Sequence, residues 1–309
     1  MNNEERLEIE GLAGQRTLAG TISVGGAKNA VLKVLASTIL FGDEVTLTNV
    51  PDIEDVRQTA KLLADLGGKI LIPEKHSYLV DTRSLDKTVI VPAISKKLRA
   101  SIVLTGPLLA RFGRVSFPHP GGCVIGKRPI DIFLTSFEAM GAKVELKDDL
   151  YEIVATGGKL HGAEIFLKAQ SVTVTETMMM AAVLAEGKTV LKNCAMEPEI
   201  VSLGEFLQQC GAQISGLGTP TIEIIGGDLL QSQGQIYQTL PDRIEAGSFL
   251  ILAALLAKDV TIADCRPDHL DAVIDFLHQS GVKMEIGENY IRVRDNDMAE
   301  DPRVSWFPD

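Results

Sequence analysis

The segment Gly121-Gly122-Cys123-Val124-Ile125-Gly126-Lys127-Arg128-Pro129-Ile130-Asp131 puts one thiol on a glycine-rich loop, with two cations four and five residues later. Glycine lets the backbone take positive φ and approach a ligand closely. Neighbouring Lys and Arg favour the thiolate and attract anions. Such a setting suits thiol chemistry on an anionic substrate. A buried structural cysteine beside a turn is the other reading, and the local pattern leaves both open.

Four further clusters carry polar chemistry. Gly25-Gly26-Ala27-Lys28-Asn29-Ala30 enters an apolar helix, and glycine-rich turns at helix starts hold anions through free N–H groups. Lys28 adds a point charge suited to phosphate or carboxylate, and Asn29 can cap the helix or bond a substrate; an exposed lysine at an ordinary helix start is the alternative. Lys96-Lys97-Leu98-Arg99-Ala100-Ser101 sets cations at a helix start, against the dipole, so Arg99 marks either a phosphate site or a solvated basic turn. Ser171-Val172-Thr173-Val174-Thr175-Glu176-Thr177 offers hydroxyls that cap N–H groups or bond an anion. In Leu240-Pro241-Asp242-Arg243-Ile244-Glu245, Asp242 is an N-cap with Glu245 three residues on, as in a capping box. Arg111 and Arg114, at the far end of a helix, read as structural.

A repeat positions these clusters. Gly67-Gly68-Lys69-Ile70, Gly141-Ala142-Lys143-Val144, Gly211-Ala212-Gln213-Ile214 and Gly281-Val282-Lys283-Met284 stand 74, 70 and 70 residues apart. A fixed long period marks duplicated units. Each copy predicts an apolar helix (29–40, 97–111, 176–185, 245–257), a short strand (45–49, 115–117, 189–193, 260–264) and a second helix (51–66, 129–140, 198–210, 267–280). The first helices are apolar on nearly all sides and are expected to be buried, whereas the second ones are amphipathic. The polar clusters stand at equivalent helix starts, so one face gathers Lys28, Arg99 and Arg243. An anionic, phosphate-bearing substrate fits. The expected organisation is a lead-in strand in 1–24 belonging with the second domain, a three-repeat domain over 25–237, and one repeat of an incomplete second domain over 238–309. That lone repeat is predicted to leave apolar surface exposed.

Composition sets the class. At 45% hydrophobic and 23% charged residues the chain is that of a folded, soluble protein. A net charge of −11 and a pI of about 5.0 argue against nucleic-acid or anionic-membrane binding. The polar start Met1-Asn2-Asn3-Glu4-Glu5 and the lack of a long apolar run predict a cytoplasmic protein without membrane insertion. Five scattered histidines and four irregularly spaced cysteines show no metal motif, and no cofactor pattern is present. Cys194, Cys210 and Cys265 read as buried small apolar residues. The oligomeric state is not encoded in any visible pattern.

Gly-Ala-Lys-Asn-Ala (26–30), Leu-Arg-Ala-Ser (98–101), Pro-Gly-Gly-Cys-x-Ile-Gly-x-Arg-Pro-x-Asp (120–131) and Leu-Pro-Asp-Arg-Ile-Glu-x-Gly (240–247) resemble the UDP-N-acetylglucosamine 1-carboxyvinyltransferases. The match runs in order from about Leu7 to Arg294, and the cysteine motif is its most specific part. The resemblance implies an α/β fold: an enolpyruvyl-transferase-like inside-out α/β barrel of repeated β/α units with buried helices. It implies enolpyruvyl transfer from phosphoenolpyruvate to the 3′-hydroxyl of UDP-N-acetylglucosamine, the first committed step of peptidoglycan synthesis.

The same resemblance implies that Lys28 and Asn29 contact phosphoenolpyruvate and that Arg99 binds the UDP-sugar. It implies that Cys123 is the proton donor and the target of fosfomycin. Arg128, Pro129, Ile130, Asp131 and Ile132 would lie along the nucleotide sugar, as would Ser171, Val172 and Thr173. At the last of these the family usually has Gly-Ala where Thr173-Val174 stand. The family's Phe-Pro-Thr-Asp aspartate, thought to deprotonate the sugar hydroxyl, has its counterpart in Asp309 of Trp306-Phe307-Pro308-Asp309, one residue shorter. The family has six units and this chain four. A truncated, non-catalytic UDP-sugar-binding remnant is therefore carried beside the transferase reading. Enolpyruvylshikimate-phosphate synthase shares the fold without the cysteine loop.

Overall fold

The computed structural model describes residues 8, 10, 17–95, 99–119 and 130–294, without the side chains of residues 93, 94 and 99. The chain divides into two compact units: Gly26–Leu240, and the residues before it together with those from Pro241 on.

Strand β1 (Leu18–Ser23) leads the described chain. The first repeat follows with α1 (Lys28–Ser37), β2 (Glu44–Thr48), α2 (Glu54–Asp65), β3 (Lys69–Glu74) and β4 (Ser77–Asp81). The second holds a short α3 (Pro92–Ser95), then α4 (Thr105–Phe112), β5 (Arg114–Pro118), α5 (Asp131–Ala139), β6 (Ala142–Lys147) and β7 (Leu150–Ala155). The third holds β8 (Glu164–Phe166), α6 (Val172–Val183), β9 (Lys188–Lys192), α7 (Pro198–Gln209), β10 (Gln213–Ser215) and β11 (Thr221–Ile225). After β12 (Ile236–Gln238), the fourth holds α8 (Arg243–Leu256), β13 (Ala257–Ala263), α9 (Asp271–Gln279), β14 (Met284–Ile286) and β15 (Tyr290–Arg294).

The period is visible in the sheets. Their strand orders are β12-β2-β4-β3, β8-β9-β11-β10 and β1-β13-β15-β14, each one parallel pair followed by two antiparallel pairs. The second repeat gives β5-β7-β6, with Val89 bridging Ser116 in parallel where the fourth strand would stand. In the third repeat β8 runs through α6 into its own neighbour β9, an ordinary βαβ crossover. In the first and fourth repeats the leading strands are exchanged: β1 precedes α1 in sequence yet pairs with β13, and β12 precedes α8 yet pairs with β2.

An equivalent strand end recurs. Asn49 and Asn193, directly after β2 and β9, take φ values of 52° and 61°. Their amides donate to the carbonyls just beyond the parallel neighbours, Asn49 to Thr239 at 2.9 Å and Asn193 to Leu167 at 2.8 Å. Asparagine tolerates this left-handed conformation and adds a donor. Asp264 holds the same conformation after β13.

The first helices of the three-repeat unit form its core. On α1 every residue from Ala30 to Ser37 is buried, and on α6 every residue from Val174 to Val183. Each fully buried large apolar side chain there contributes roughly 1.5–3 kcal/mol. Close packing of α4 on α6 needs Gly106, where a Cβ would overlap the Thr177 carbonyl. The second helices bury one stripe only, as on α2 with Val56, Thr59, Leu62 and Leu63.

Several elements differ from the sequence expectation; the helix expected over 267–280, for one, is α-helical only from Asp271, after a 3-10 turn over Pro267–His269. The helix expected over 97–111 is α-helical only from Thr105, with a 3-10 segment over Arg99–Leu104 before it. Pro107 lacks an N–H and clashes with the preceding turn, so it is tolerated only within the first turn of α4. The helix expected from Glu176 begins four residues earlier, because Ser171 supplies its N-cap. The fourth repeat exposes Ile244, Ile251, Leu252 and Leu255 on α8, the surface predicted for one repeat without companion helices.

Candidate active site

The start of α1 is open. Its N-cap is Ala27, in extended backbone, which offers no side-chain acceptor, and the first turn holds no acidic residue. Its first N–H groups are therefore available to an anion. Three other starts differ: α2 carries Glu54 and Asp55 in its first turn, α6 is capped by Ser171 and α8 by Asp242. Gly26 is required by packing, because a Cβ there would overlap the Asn49 carbonyl. The Ala27 N–H donates to Leu240 O at 2.7 Å and so anchors the turn.

Lys28 is exposed at this start, and its Nζ lies 2.5 Å from Asp55 Oδ2 of α2. Asn29 is half-buried beside it. One turn further along, Lys33 points into the core. Its Nζ donates to the Asn29 carbonyl at 2.8 Å and lies 3.3 Å from Glu176 Oε2 of α6. Glu176 is fully buried, and neither carboxylate oxygen makes an aligned hydrogen bond. Burial pushes the Glu176 carboxyl up to about 8, against the pull of Lys33 and with added repulsion from Glu199 and Glu197.

This contact ties α1 to α6. Lys28 lies five residues before Lys33, and Val172 four before Glu176. At 1.5 Å per residue each helix start is about 6–8 Å from the contact. At the start of α6, Ser171, Val172 and Thr173 are half-buried. Ser171 Oγ accepts from the Val174 N–H at 3.4 Å, and the Thr173 carbonyl accepts from Thr177 Oγ1 at 2.7 Å. At the start of α5, Ile130 is buried, Asp131 exposed and Ile132 half-buried. Cys123, Arg128, Pro129 and Asp309 lie outside the described residues, as does the Arg99 side chain.

The capping box expected at α8 is half formed. Asp242 Oδ1 accepts from the N–H groups of Ile244 and Glu245 at 2.8 and 3.2 Å. Glu245 does not reach back to the Asp242 N–H, which is taken by the Gly25 carbonyl at 2.9 Å. Glu245 accepts instead from the Gly25 N–H at 2.8 Å. The chain leaving β1 therefore occupies the place the box would fill.

Cys194, Cys210 and Cys265 are buried. Burial pushes the Cys194 and Cys210 thiols up to about 11 and raises that of Cys265 as well. Among the described residues no group of three or more His, Cys, Asp and Glu could hold a metal ion, and no helix is long and apolar enough to cross a membrane.

Motif reading missed Lys33, Glu176 and Asp55. The available signal was a charge inside an otherwise apolar helix, Lys33 among Val31, Leu32 and Val34, and Glu176 before Met178-Met179-Met180. Long charged residues are rarely fully buried without a partner, so the two pointed to each other.

The fold is that of the enolpyruvyl transferases. The sequence profile of the EPSP synthase (3-phosphoshikimate 1-carboxyvinyltransferase) family matches residues 12–309, so the chain belongs to that family. The UDP-N-acetylglucosamine 1-carboxyvinyltransferase of Coxiella burnetii (strain Dugway 5J108-111) is 44% identical over 280 residues, 91% of this chain and 64% of that protein. The chain thus spans under two thirds of the length of the curated relatives it matches. The crystal structure of the enolpyruvyl transferase NikO from Streptomyces tendae superposes with a TM-score of 0.76 at 18% identity, covering 90% of this chain and 66% of that one. An EPSP synthase structure from Acinetobacter baumannii gives 0.71 at 19% identity, with 90% and 65% covered. These two structures show the shared fold.

Proposed function

We propose that the chain transfers the enolpyruvyl group of phosphoenolpyruvate to the 3′-hydroxyl of UDP-N-acetylglucosamine, releasing phosphate, in peptidoglycan synthesis. The observation that carries this reading is the 44% identity over 280 residues to transferases named for that acceptor, in a chain whose buried helix α1 opens uncapped beside Lys28. The cysteine loop of 120–131 favours this acceptor over 3-phosphoshikimate. A cytoplasmic site of action, where both substrates are made, goes with it.

On this reading Lys28, Asn29 and the free N–H groups of α1 hold the phosphoenolpyruvate anion. Cys123 delivers a proton to C3 while the sugar 3′-oxygen bonds to C2 and loses its own proton to a base, for which Asp309 is the candidate. The C2–O bond to phosphate then breaks, phosphate leaves with the electron pair, and C3 gives up a proton to restore the double bond. A cysteine tuned by Lys127 and Arg128 is an acid suited to neutral pH. Arg99, Arg128, Pro129, Ile130, Asp131, Ile132, Ser171, Val172 and Thr173 line the nucleotide sugar, with cations offsetting its diphosphate. The test is product mass after incubation with phosphoenolpyruvate and either acceptor. Enolpyruvyl gain on UDP-N-acetylglucosamine alone is expected, and gain on 3-phosphoshikimate alone would overturn the reading.

A further inference from the structure

Lys33 and Glu176 are an odd choice for their place. They face each other within a core of Val31, Leu32, Val34, Met178 and Met179, all buried. Burying a charged pair is costly, and well-packed apolar residues of similar volume usually serve stability as well or better. The pair is therefore not explained by stability. Its geometry points outward along α1: the Lys33 ammonium, 3.3 Å from Glu176, donates at 2.8 Å to the carbonyl of Asn29 in the first turn. That turn carries Lys28 and Asn29 and has no side-chain cap to fix it.

We propose that Lys33 is a positioning residue of the anion site: held by Glu176, its ammonium fixes the Asn29 carbonyl and sets a buried positive charge one helical turn behind Lys28 and Asn29. This rests on the proposed function, in which that turn holds phosphoenolpyruvate. Low local dielectric lets a buried charge act on a bound anion with little screening.

The experiment compares the wild-type chain with Lys33→Met/Glu176→Met and with Glu176→Gln. It reads kcat, KM for phosphoenolpyruvate and thermal stability. Lys33→Met alone would leave Glu176 buried without its partner and can fail to fold, so the double variant carries the test. The double variant is expected to melt within a few degrees of wild type while its KM rises about tenfold and kcat changes far less. Glu176→Gln, which keeps an acceptor for the ammonium, is expected to hold KM within about twofold. An unchanged KM in the folded double variant would overturn the proposal. A wild-type chain that neither binds phosphoenolpyruvate nor releases phosphate would instead overturn the proposed function, and this inference with it.

Discussion

Lys28 Nζ lies 2.5 Å from Asp55 Oδ2, so the cation at the open start of α1 is shared with a carboxylate of α2. Both side chains are substantially exposed, and an exposed pair of this kind is worth at most about 1 kcal/mol. A phosphate ester can take Lys28 from it. Asp55→Asn is expected to lower the KM for phosphoenolpyruvate by about two- to fivefold, and Lys28→Ala to raise it more strongly. Steady-state kinetics checks both; a raised KM in Asp55→Asn would show that the carboxylate assists binding.

The thiols should separate by reactivity. Cys194 and Cys210, at about 11, remain protonated at pH 8, and Cys265 is raised as well. Iodoacetamide at pH 7–8 is expected to label Cys123 first, and fosfomycin to add its mass to the peptide holding Cys123 and to no other. Peptide mass spectrometry reads the order. Earlier labelling of a buried thiol would contradict it.

Asn193 combines a left-handed backbone with the bond to Leu167. Asn193→Ala loses both advantages and is expected to cost about 2 kcal/mol, whereas Asn193→Gly keeps the backbone and costs about half as much. Urea unfolding measures the difference. Equal losses would mean that the bond alone matters.

Glu176 links stability to pH. Its folded value of about 8 lies above the ordinary 4.5, so between those values the folded protein holds a proton that the unfolded chain releases. Its contribution is fully present below about pH 4.5 and is lost as pH rises through about 8. Glu176→Gln removes the linkage. The melting temperature of wild type is expected to fall relative to the variant from pH 5 to 8.5, and parallel curves would contradict this.

The repeat made much of the fold legible, because Gly67, Gly141, Gly211 and Gly281 mark equivalent helix ends, and an all-apolar helix such as α6 has one stable place, inside. The start of α4 was not legible, because an apolar run hides a register that Pro107 sets. The pairing of β12 with β2 was not legible either, since a three-residue strand such as Ile236–Gln238 carries no partner preference in its sequence, whereas the lead-in strand was expected with the second domain, where β1 pairs with β13. Lys28 and Asn29 were visible through their glycine turn. Asp55 and the Lys33–Glu176 contact were not, because both join residues on separate elements.

Phosphate release by the 309-residue chain given UDP-N-acetylglucosamine and phosphoenolpyruvate, with Cys123→Ser beside it, tests the central claim most directly. The account predicts release that requires both substrates and that the substitution abolishes. Release unaffected by the substitution, or UDP-N-acetylglucosamine bound with no release at all, would contradict it.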